Sequence, residues 1–374
     1  MNLPEQTFSQ FCLSLFKICS LLLLISFPVS SQPQGSQSVI SGTVSDKDSG
    51  KPLEDVHVYI SYTTAGVSTD ESGAFTFTAG LSGQFELVFS RVGYETEKRT
   101  ITLGSDEESL VFNIQLVSKS IVLSQLEVKA DNSAWLRDYE EFKREFLGTT
   151  FYATDTQITN RWVLDFNRND SGQLVASASE PLRIENMSLG YELLVELDDF
   201  VWNLRDNTGY YRVQVRFEEL EPESDREYRS WTQNRERAYK GSLRHFLKSL
   251  YDDNLSRNRF EVVWMNSTQR ATIQPIEQNQ MIQRLSSNGL NPKLALEGVK
   301  GFVLKEPVDI LIGRRSYIHD NRKRARLVPV RNDKSFFVMP NGNVLDIMSL
   351  AVTGYWSSYR MADMVPIDFE PSRK

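Results

Sequence analysis

The sequence is poor in the residues on which most enzyme classes depend. Its 374 residues include only two cysteines and three histidines. Both cysteines, Cys12 and Cys19, come before residue 32, so the chain after that point has no thiol group. Disulfide bonds and cysteine nucleophiles are therefore excluded from the rest of the chain.

The three histidines do not form a metal-binding motif. Zinc carboxypeptidases need a His-x-x-Glu pair and a distant histidine, because catalytic zinc takes three protein ligands and keeps one position open. Isoleucine, lysine and arginine stand three positions after the histidines, which are His57, His245 and His319. His-Glu-x-x-His, Gly-x-Ser-x-Gly and the Gly-rich phosphate-binding loops are also absent. The sequence therefore predicts no metal, no cofactor and no catalytic residue, and we interpret His245 as structural.

Long apolar runs are lacking after the N-terminus. The run from Ile18 to Phe27 follows Lys17 and is too short to cross a bilayer. Small residues come next, so the sequence predicts a secretory signal peptide over residues 1–31 that is cleaved after Ser31. No later stretch reaches 18 consecutive apolar residues, and we expect no membrane-spanning segment in the processed chain.

An excess of positive charge is lacking as well. The net charge of −7 argues against nucleic acid as a partner. An exported chain of this length without disulfide bonds is typical of a bacterial envelope. We therefore expect the protein in the periplasm or at the outer membrane.

Short alternating segments fill the chain between Val39 and Val117. Seven of them recur at intervals of about ten residues, which is typical of sandwich strands. Turn residues such as those from Asp70 to Gly73 separate them. The pattern predicts a seven-stranded Greek-key β-sandwich over residues 39–117.

Three stretches of this region resemble the carboxypeptidase-regulatory-like domain, a transthyretin-like sandwich: GTVSDKDSGKPLEDVHVYI, STDESGAFTF and FSRVGYETEKRTI. The resemblance implies an accessory module and no peptidase activity. Such modules are common at the N-termini of exported Bacteroidetes proteins, including TonB-dependent glycan transporters. The resemblance therefore implies an envelope location and a role in docking or spacing.

The rest of the chain predicts a linker over residues 118–132 and a larger α+β body over residues 133–374. Helical periodicity begins at Ser133, and a second helix is expected from Asp225 to Asn254, among short strand-like segments. The expected fold class is thus mainly β with an α+β body. The stretches WLRDYEEFKREFLGTT and GYWSSYRMADMVP resemble the uncharacterised region that follows this domain in Bacteroidetes envelope proteins.

Acidic pairs and aromatic residues are interpreted as structural. Asp198-Asp199 and Asp252-Asp253 are expected at turns and caps, because adjacency in sequence does not place two carboxylates across a cleft as a glycosidase requires. Aromatic side chains could stack on sugars, but most have the spacing of core residues.

One basic cluster stands out against the acidic background. Residues 313–334 read GRRSYIHDNRKRARLVPVRNDK, and a hairpin turning at Asp320-Asn321 would bring several guanidinium groups together. Arginine binds phosphate and carboxylate groups through paired N–H donors, so the cluster predicts a site for an anionic partner. The alternatives are a solvated hairpin and docking against the acidic sandwich. The predicted binding residues are Arg314, Arg315, Arg322, Lys323, Arg324 and Arg326.

These observations predict a non-catalytic envelope protein that binds a protein or glycan partner, with the sandwich as a docking or spacer module. One alternative is a hydrolase acting on glycan or peptide through residues that the sequence does not identify. A second is an accessory of a TonB-dependent uptake system, because Leu126-Glu127-Val128 in the linker resembles a TonB box.

Overall fold

The computed structural model describes residues 37–81, 83–104, 109–119, 133–290, 292, 298–313 and 322–372. Residues 36–374 belong to one compact unit. The predicted signal peptide, its cleavage site at Ser31 and the segment that resembles a TonB box lie outside the described residues. Within the described residues, no helix has the length and apolar character needed to cross a membrane.

The N-terminal part of the described chain is a sandwich of two β-sheets. Its strands are β1 (Ser38–Asp46), β2 (His57–Ile60), β3 (Gly66–Ser68), β4 (Ala74–Ala79), β5 (Gly83–Ser90), β6 (Glu97–Leu103) and β7 (Ser109–Leu116). One sheet has the order β4-β1-β7, in which β1 and β7 are parallel, and the other has the order β3-β2-β5-β6. The seven strands predicted from the spacing of the turns are confirmed.

The turn between β3 and β4 shows how the sequence directs this chain path. The carboxylate of Asp70 accepts hydrogen bonds from the backbone N–H groups of Ser72 (2.9 Å) and Ala74 (3.0 Å). Gly73 has a φ of 73°, and a Cβ atom there would lie 2.4 Å from the carbonyl oxygen of Val44. Glycine is therefore required at this position. The turn places β4 beside β1, and apolar side chains fill the space between the sheets, among them Ile40, Val58, Leu87 and Phe89.

A six-stranded sheet forms the first half of the body. Its strands are β8 (Thr156–Ile158), β9 (Leu164–Arg168), β10 (Leu174–Ala178), β11 (Leu182–Asn186), β12 (Tyr191–Asn203) and β13 (Thr208–Glu219). The order is β8-β11-β12-β10-β9, and β13 also pairs with β12. Helix α1 (Ser133–Leu147) packs Phe142 and Phe146 into the core against this sheet, as its periodicity predicts. Helix α2 (Phe151–Thr154) follows it.

The second half of the body contains two smaller sheets. The strands are β14 (Phe260–Trp264), β15 (Gln274–Pro275), β16 (Lys300–Val303), β17 (Val308–Ile312), β18 (Lys323–Pro329), β19 (Ser335–Val338) and β20 (Leu350–Gly354). One sheet has the antiparallel order β14-β17-β18-β20 and the other the order β15-β16-β19. The helices are α3 (Asp225–Tyr239), α4 (Leu243–Tyr251) and α5 (Gln278–Ser287). The predicted α+β body is confirmed.

Two predicted elements of the body have the wrong extent. The helix expected from Asp225 to Asn254 is divided into α3 and α4, because Gly241 adopts a φ of 85° and Ser242 caps the start of α4. The chain was expected to turn at Asp198-Asp199, but it forms one continuous strand, β12, which has a bulge at this point. These two aspartates therefore lie within a strand and not at its end.

Backbone hydrogen bonds join the sandwich to the body. The N–H of Tyr62, in the turn after β2, donates to the carbonyl of Val215 in β13 (2.6 Å), and the N–H of Phe217 donates to the carbonyl of Thr63 (3.0 Å). Near the C-terminus, the N–H of Ile367 donates to the carbonyl of Tyr62 (2.7 Å), and its side chain packs against the sandwich core. Two separate parts of the body thus fix the position of the sandwich.

Candidate functional site

The described part of the predicted anion site lies on β18 and at its start. Alternation along β18 buries Ala325 and Leu327 completely and places Arg324 and Arg326 on the opposite face of the sheet. Strands β17 and β18 are paired, with Asp309 opposite Arg326. The two arms of the hairpin expected from the sequence are therefore present.

A buried carboxylate holds the two arginines of this face. Asp309 is fully buried, and it accepts hydrogen bonds from Arg326 Nε (2.8 Å), Arg324 Nη1 (2.7 Å) and the backbone N–H of Asn266 (2.9 Å). Burial acts to raise the pKa of Asp309, but the bonds from Arg326, Asn266 and Arg324 outweigh it and hold the pKa below its ordinary value. Asp309 is therefore ionised, and much of the positive charge of this pair is already compensated.

A second carboxylate holds Arg322. The side chain of Arg322 is 8% exposed and forms an ion pair with Glu261 of β14, which also pairs with Arg270 at 3.2 Å. The hydrogen bond from Arg322, more than that from Arg270, lowers the pKa of Glu261 below its ordinary value. Arg270, by contrast, is 86% exposed and shares this single carboxylate.

Lys323 contacts an aromatic pair from the C-terminal part of the chain. Its ammonium group lies 4.0 Å from the centroid of the Tyr355 ring and donates to the Tyr355 hydroxyl, which lies 2.8 Å from that of Tyr359. This is a cation–π contact with a hydrogen bond added. Four predicted binding residues thus have internal partners, while Arg314 and Arg315 lie outside the described residues. The assignment of all six as a binding site stays a prediction.

The sequence analysis missed a cleft that lies beside Arg322. The cleft has a volume of about 550 Å³ and is lined by Leu255, Ser256, Arg257, Arg259, Phe260, Glu261, Val262, Arg270, Ala271, Gly313 and Arg322. The lining residues that the structure describes therefore include four arginines and one carboxylate. Arg257 and Arg259 are exposed, and neither has an acidic partner among the residues that the structure describes. Because they precede the basic cluster by more than fifty positions, only the pairing of β14 with β17 brings them beside it.

Arg259 is held in an uncommon backbone conformation. Its φ is 63°, which lies in the left-handed region that residues other than glycine rarely adopt. Two hydrogen bonds stabilise the turn: its N–H donates to the carbonyl of Ser256 (3.1 Å), and its carbonyl accepts from the N–H of Gly313 (3.0 Å). The bond to Gly313 ties the turn before β14 to the end of β17, so both sides of the cleft are fixed to one sheet.

The two described histidines have structural partners. His245 Nδ1 accepts a hydrogen bond from the N–H of Gly241 (3.0 Å), and burial lowers its pKa to about 4. His57 Nδ1 lies 3.0 Å from Arg216 Nη1, and burial, with the charge of Arg216, lowers its pKa. Among the described residues, no group of three or more His, Cys, Asp or Glu side chains is placed to hold a metal ion. The position of His245 agrees with its interpretation as structural.

Comparisons with known proteins identify the N-terminal part of the chain. A search of curated proteins finds no match. Solved structures with some similarity include a cohesin–X-dockerin complex from Acetivibrio cellulolyticus (19% identity, TM-score 0.18). The match covers 56% of that chain and 21% of this one. A protein of unknown function from Bacteroides fragilis (10% identity, TM-score 0.19) matches over 85% of that chain and 51% of this one. A DUF3823 family protein from Bacteroides ovatus (10% identity, TM-score 0.15) matches over 82% of that chain and 50% of this one.

Similarities at these TM-scores carry no argument about what the chain does. The family models give a more specific result, because residues 40–128 match the CarboxypepD_reg-like domain. This range contains strands β2 to β7 and all but the first two residues of β1. The resemblance predicted from GTVSDKDSGKPLEDVHVYI and the two later stretches is therefore confirmed: residues 40–128 match the CarboxypepD_reg-like domain.

Proposed function

We propose that the protein is a non-catalytic component of a bacterial cell envelope that binds an anionic glycan or glycolipid. The partner binds at the basic edge of the second half of the body, where the cleft opens beside β14. The observation that carries this proposal is the charge of the cleft, whose described lining contains four arginines and one glutamate.

Internal pairing decides which arginines reach the partner. Arg324 and Arg326 hold a buried carboxylate, and removing them would leave that charge unpaired. Arg257 and Arg259 are exposed, and neither has an acidic partner among the residues that the structure describes. Their N–H groups are therefore available to donate to a ligand. Electrostatic attraction between exposed arginines and a polyanion is long-ranged and falls with salt.

The sandwich supports the proposal as a docking module. Its turn after β2 is hydrogen-bonded to β13, and Lys98 of β6 pairs with Asp198 at the bulge of β12 (2.6 Å). An accessory module that is fixed in this way sets the orientation of the body relative to whatever the sandwich itself contacts. This role requires no catalytic group in either part.

Binding of glycans by the purified chain tests the proposal. The probes are lipopolysaccharide, polygalacturonate and uncharged dextran, each measured at low and high salt. We expect both anionic probes to bind at low salt and to be released at high salt, and dextran not to bind. The variant R257Q/R259N should lose most of this binding, whereas the control R229Q/K334N removes the same charge outside the cleft and should not. Failure of both anionic probes to bind, or equal loss in both variants, would refute the proposal.

A further inference from the structure

The charges in the cleft point to one class of anion. Glu261 is shared between Arg270 and Arg322, so one carboxylate serves two of the positive charges in the cleft. Arg257 and Arg259 add two more that have no described counter-charge. A ligand that carries a single negative charge pairs with one of these two guanidinium groups, whereas a dianion pairs with both.

The residues that line the cleft also favour recognition of the ligand by its charge. Among the lining residues that the structure describes, Phe260 is the single aromatic one, and it is 3% exposed, so its ring offers no surface on which a sugar could stack. The volume of about 550 Å³ exceeds what an isolated inorganic anion fills and falls within the range of small-molecule sites. The cleft therefore has room for a larger molecule that carries the anion at one end.

We propose that the cleft binds a terminal phosphate monoester, with Arg257 and Arg259 as the direct ligands of its oxygen atoms. This inference deepens the proposed function and depends on it. A phosphate monoester carries close to two negative charges at neutral pH and presents three acceptor oxygens, which guanidinium groups contact through paired N–H donors. Arg270, which is largely exposed, also lines the cleft, and Glu261 keeps Arg322 in place.

Calorimetric titration of the full chain tests this assignment. The soluble probes are inorganic phosphate and glucose 6-phosphate, the lipid probe is a phosphatidylcholine vesicle containing phosphatidic acid, and monomeric galacturonate provides a carboxylate. We expect at least one phosphate probe to bind about tenfold or more tightly than galacturonate. Binding of the soluble probes indicates a free phosphate ester as the ligand, and binding of the vesicle alone indicates a lipid headgroup. Galacturonate binding as tight as phosphate, or no binding of any phosphate probe, would overturn the inference.

Matched variants locate the site. A charge-assisted hydrogen bond is worth about tenfold in affinity, so R257Q/R259N should weaken phosphate binding by about a hundredfold. Asparagine tolerates the φ of 63° at position 259 better than arginine does, so the variant keeps its fold. The control R229Q/K334N includes a second residue in this conformation, Lys334, and should bind phosphate as the parent does. Equal losses in both variants would contradict the assignment.

The pH dependence provides an independent readout. A phosphate monoester loses one charge below about pH 6, whereas a carboxylate stays ionised to about pH 4. Phosphate binding should therefore weaken between pH 7 and pH 5, and retention of polygalacturonate should not. If the chain binds polygalacturonate but no phosphate probe, the inference fails and the proposed function stands. If it binds neither, both fail.

Discussion

Asp309 stabilises the basic face of the body, and the structure predicts an asymmetry among its partners. The carboxylate is fully buried, whereas the side chains of Arg324 and Arg326 are 44% and 30% exposed. Water can therefore solvate the arginines when the carboxylate is lost, but it cannot solvate the carboxylate when the arginines are lost. The two kinds of substitution should have different costs.

We expect D309N to lower the free energy of unfolding by about 1–3 kcal/mol, the usual cost of losing hydrogen bonds to a charged group. R324Q/R326Q should lower it by about 3–5 kcal/mol, because a buried charge stays unpaired. Adding D309N to the double arginine variant should restore part of the loss. Urea unfolding measures all three, and equal costs for D309N and R324Q/R326Q would contradict the argument.

Two buried groups of the body titrate in opposite directions. Burial lowers the pKa of His245 to about 4, so its contribution to stability is lost as the pH falls from about 6.5 towards 4. Burial raises the pKa of Asp363 to about 6, so this residue stabilises the fold progressively as the pH falls from 6 towards its ordinary value near 4. The two effects largely cancel between pH 6 and pH 4.

Single variants should reveal these hidden effects. Relative to the parent, H245Q should gain stability as the pH falls from 6 to 4. The parent loses the contribution of His245 to the free energy of unfolding over this interval, and the variant has no such contribution to lose. D363N should lose relative stability over the same interval. Each slope is about 1.4 kcal/mol per pH unit when one proton is involved. Thermal or urea unfolding at several pH values checks this, and slopes parallel to that of the parent would show that neither group is shifted.

The sequence predicts the basic residues of the site but not their partners. The four basic residues from Arg322 to Arg326 can be recognised because they lie within five positions, whereas Asp309 and Arg257 lie on other strands and loops. Their proximity arises from the pairing of β14, β17 and β18, which is a property of the whole sheet. Local patterns therefore predict a basic surface and do not show which of its arginines already have internal partners.

At the scale of elements, local signals account for the turns and for the start of each helix. Asp70 and Gly73 identify a sandwich turn, and Ser133 marks the start of α1. Boundaries inside apolar stretches were less predictable. The low helix propensity of Gly241 indicates a less stable position in a helix, and its positive φ shows that the chain turns there.

The C-terminal segment after Pro366 acts as a strap between the two parts. Asp368 accepts hydrogen bonds from the N–H of Thr64 (3.0 and 3.2 Å), and the carbonyl of Pro366 accepts one from Arg244 Nη1 (2.7 Å). Ile367 contributes apolar burial on the sandwich side. The strap therefore connects the turn after β2 to helix α4.

Removing the strap should loosen this connection. A chain that ends at Pro366 loses the side chain of Ile367 and the carboxylate of Asp368, and we expect the free energy of unfolding to fall by about 2–4 kcal/mol. Amide exchange of Tyr62 and Thr64 should become faster. A chain that ends at Glu370 keeps these contacts and serves as the control. Equal stability of the two truncated chains would show that the strap does not stabilise the junction.

At the scale of the whole molecule, the sandwich and the body should unfold together. The six tryptophans all follow the sandwich: Trp135, Trp162, Trp202, Trp231, Trp264 and Trp356. Tryptophan fluorescence therefore reports on the body, while far-ultraviolet circular dichroism reports on both parts. We expect the two transitions to coincide, because backbone hydrogen bonds couple the parts.

Uncoupling the junction should separate these transitions. Tyr62 has a φ of 64°, and its hydroxyl donates to the carbonyl of Val213 (3.0 Å). Y62G removes this contact and the packing of the ring, but glycine accepts the backbone conformation without strain. Two distinct transitions in Y62G, and one in the parent, would support the coupling. Two transitions in the parent would show that the parts are independent.

The asymmetry at Asp309 also constrains the order in which related sequences can change. A lineage that loses both arginines first must pass through an unstable intermediate with an unpaired buried charge. A lineage that first replaces Asp309 passes through an intermediate that loses less stability, because the exposed arginines remain solvated. Descendants with a neutral residue at this position and arginine still at 324 or 326 should therefore occur, and the reverse combination should be rare. The three positions should covary as a unit in an alignment of this family of chains.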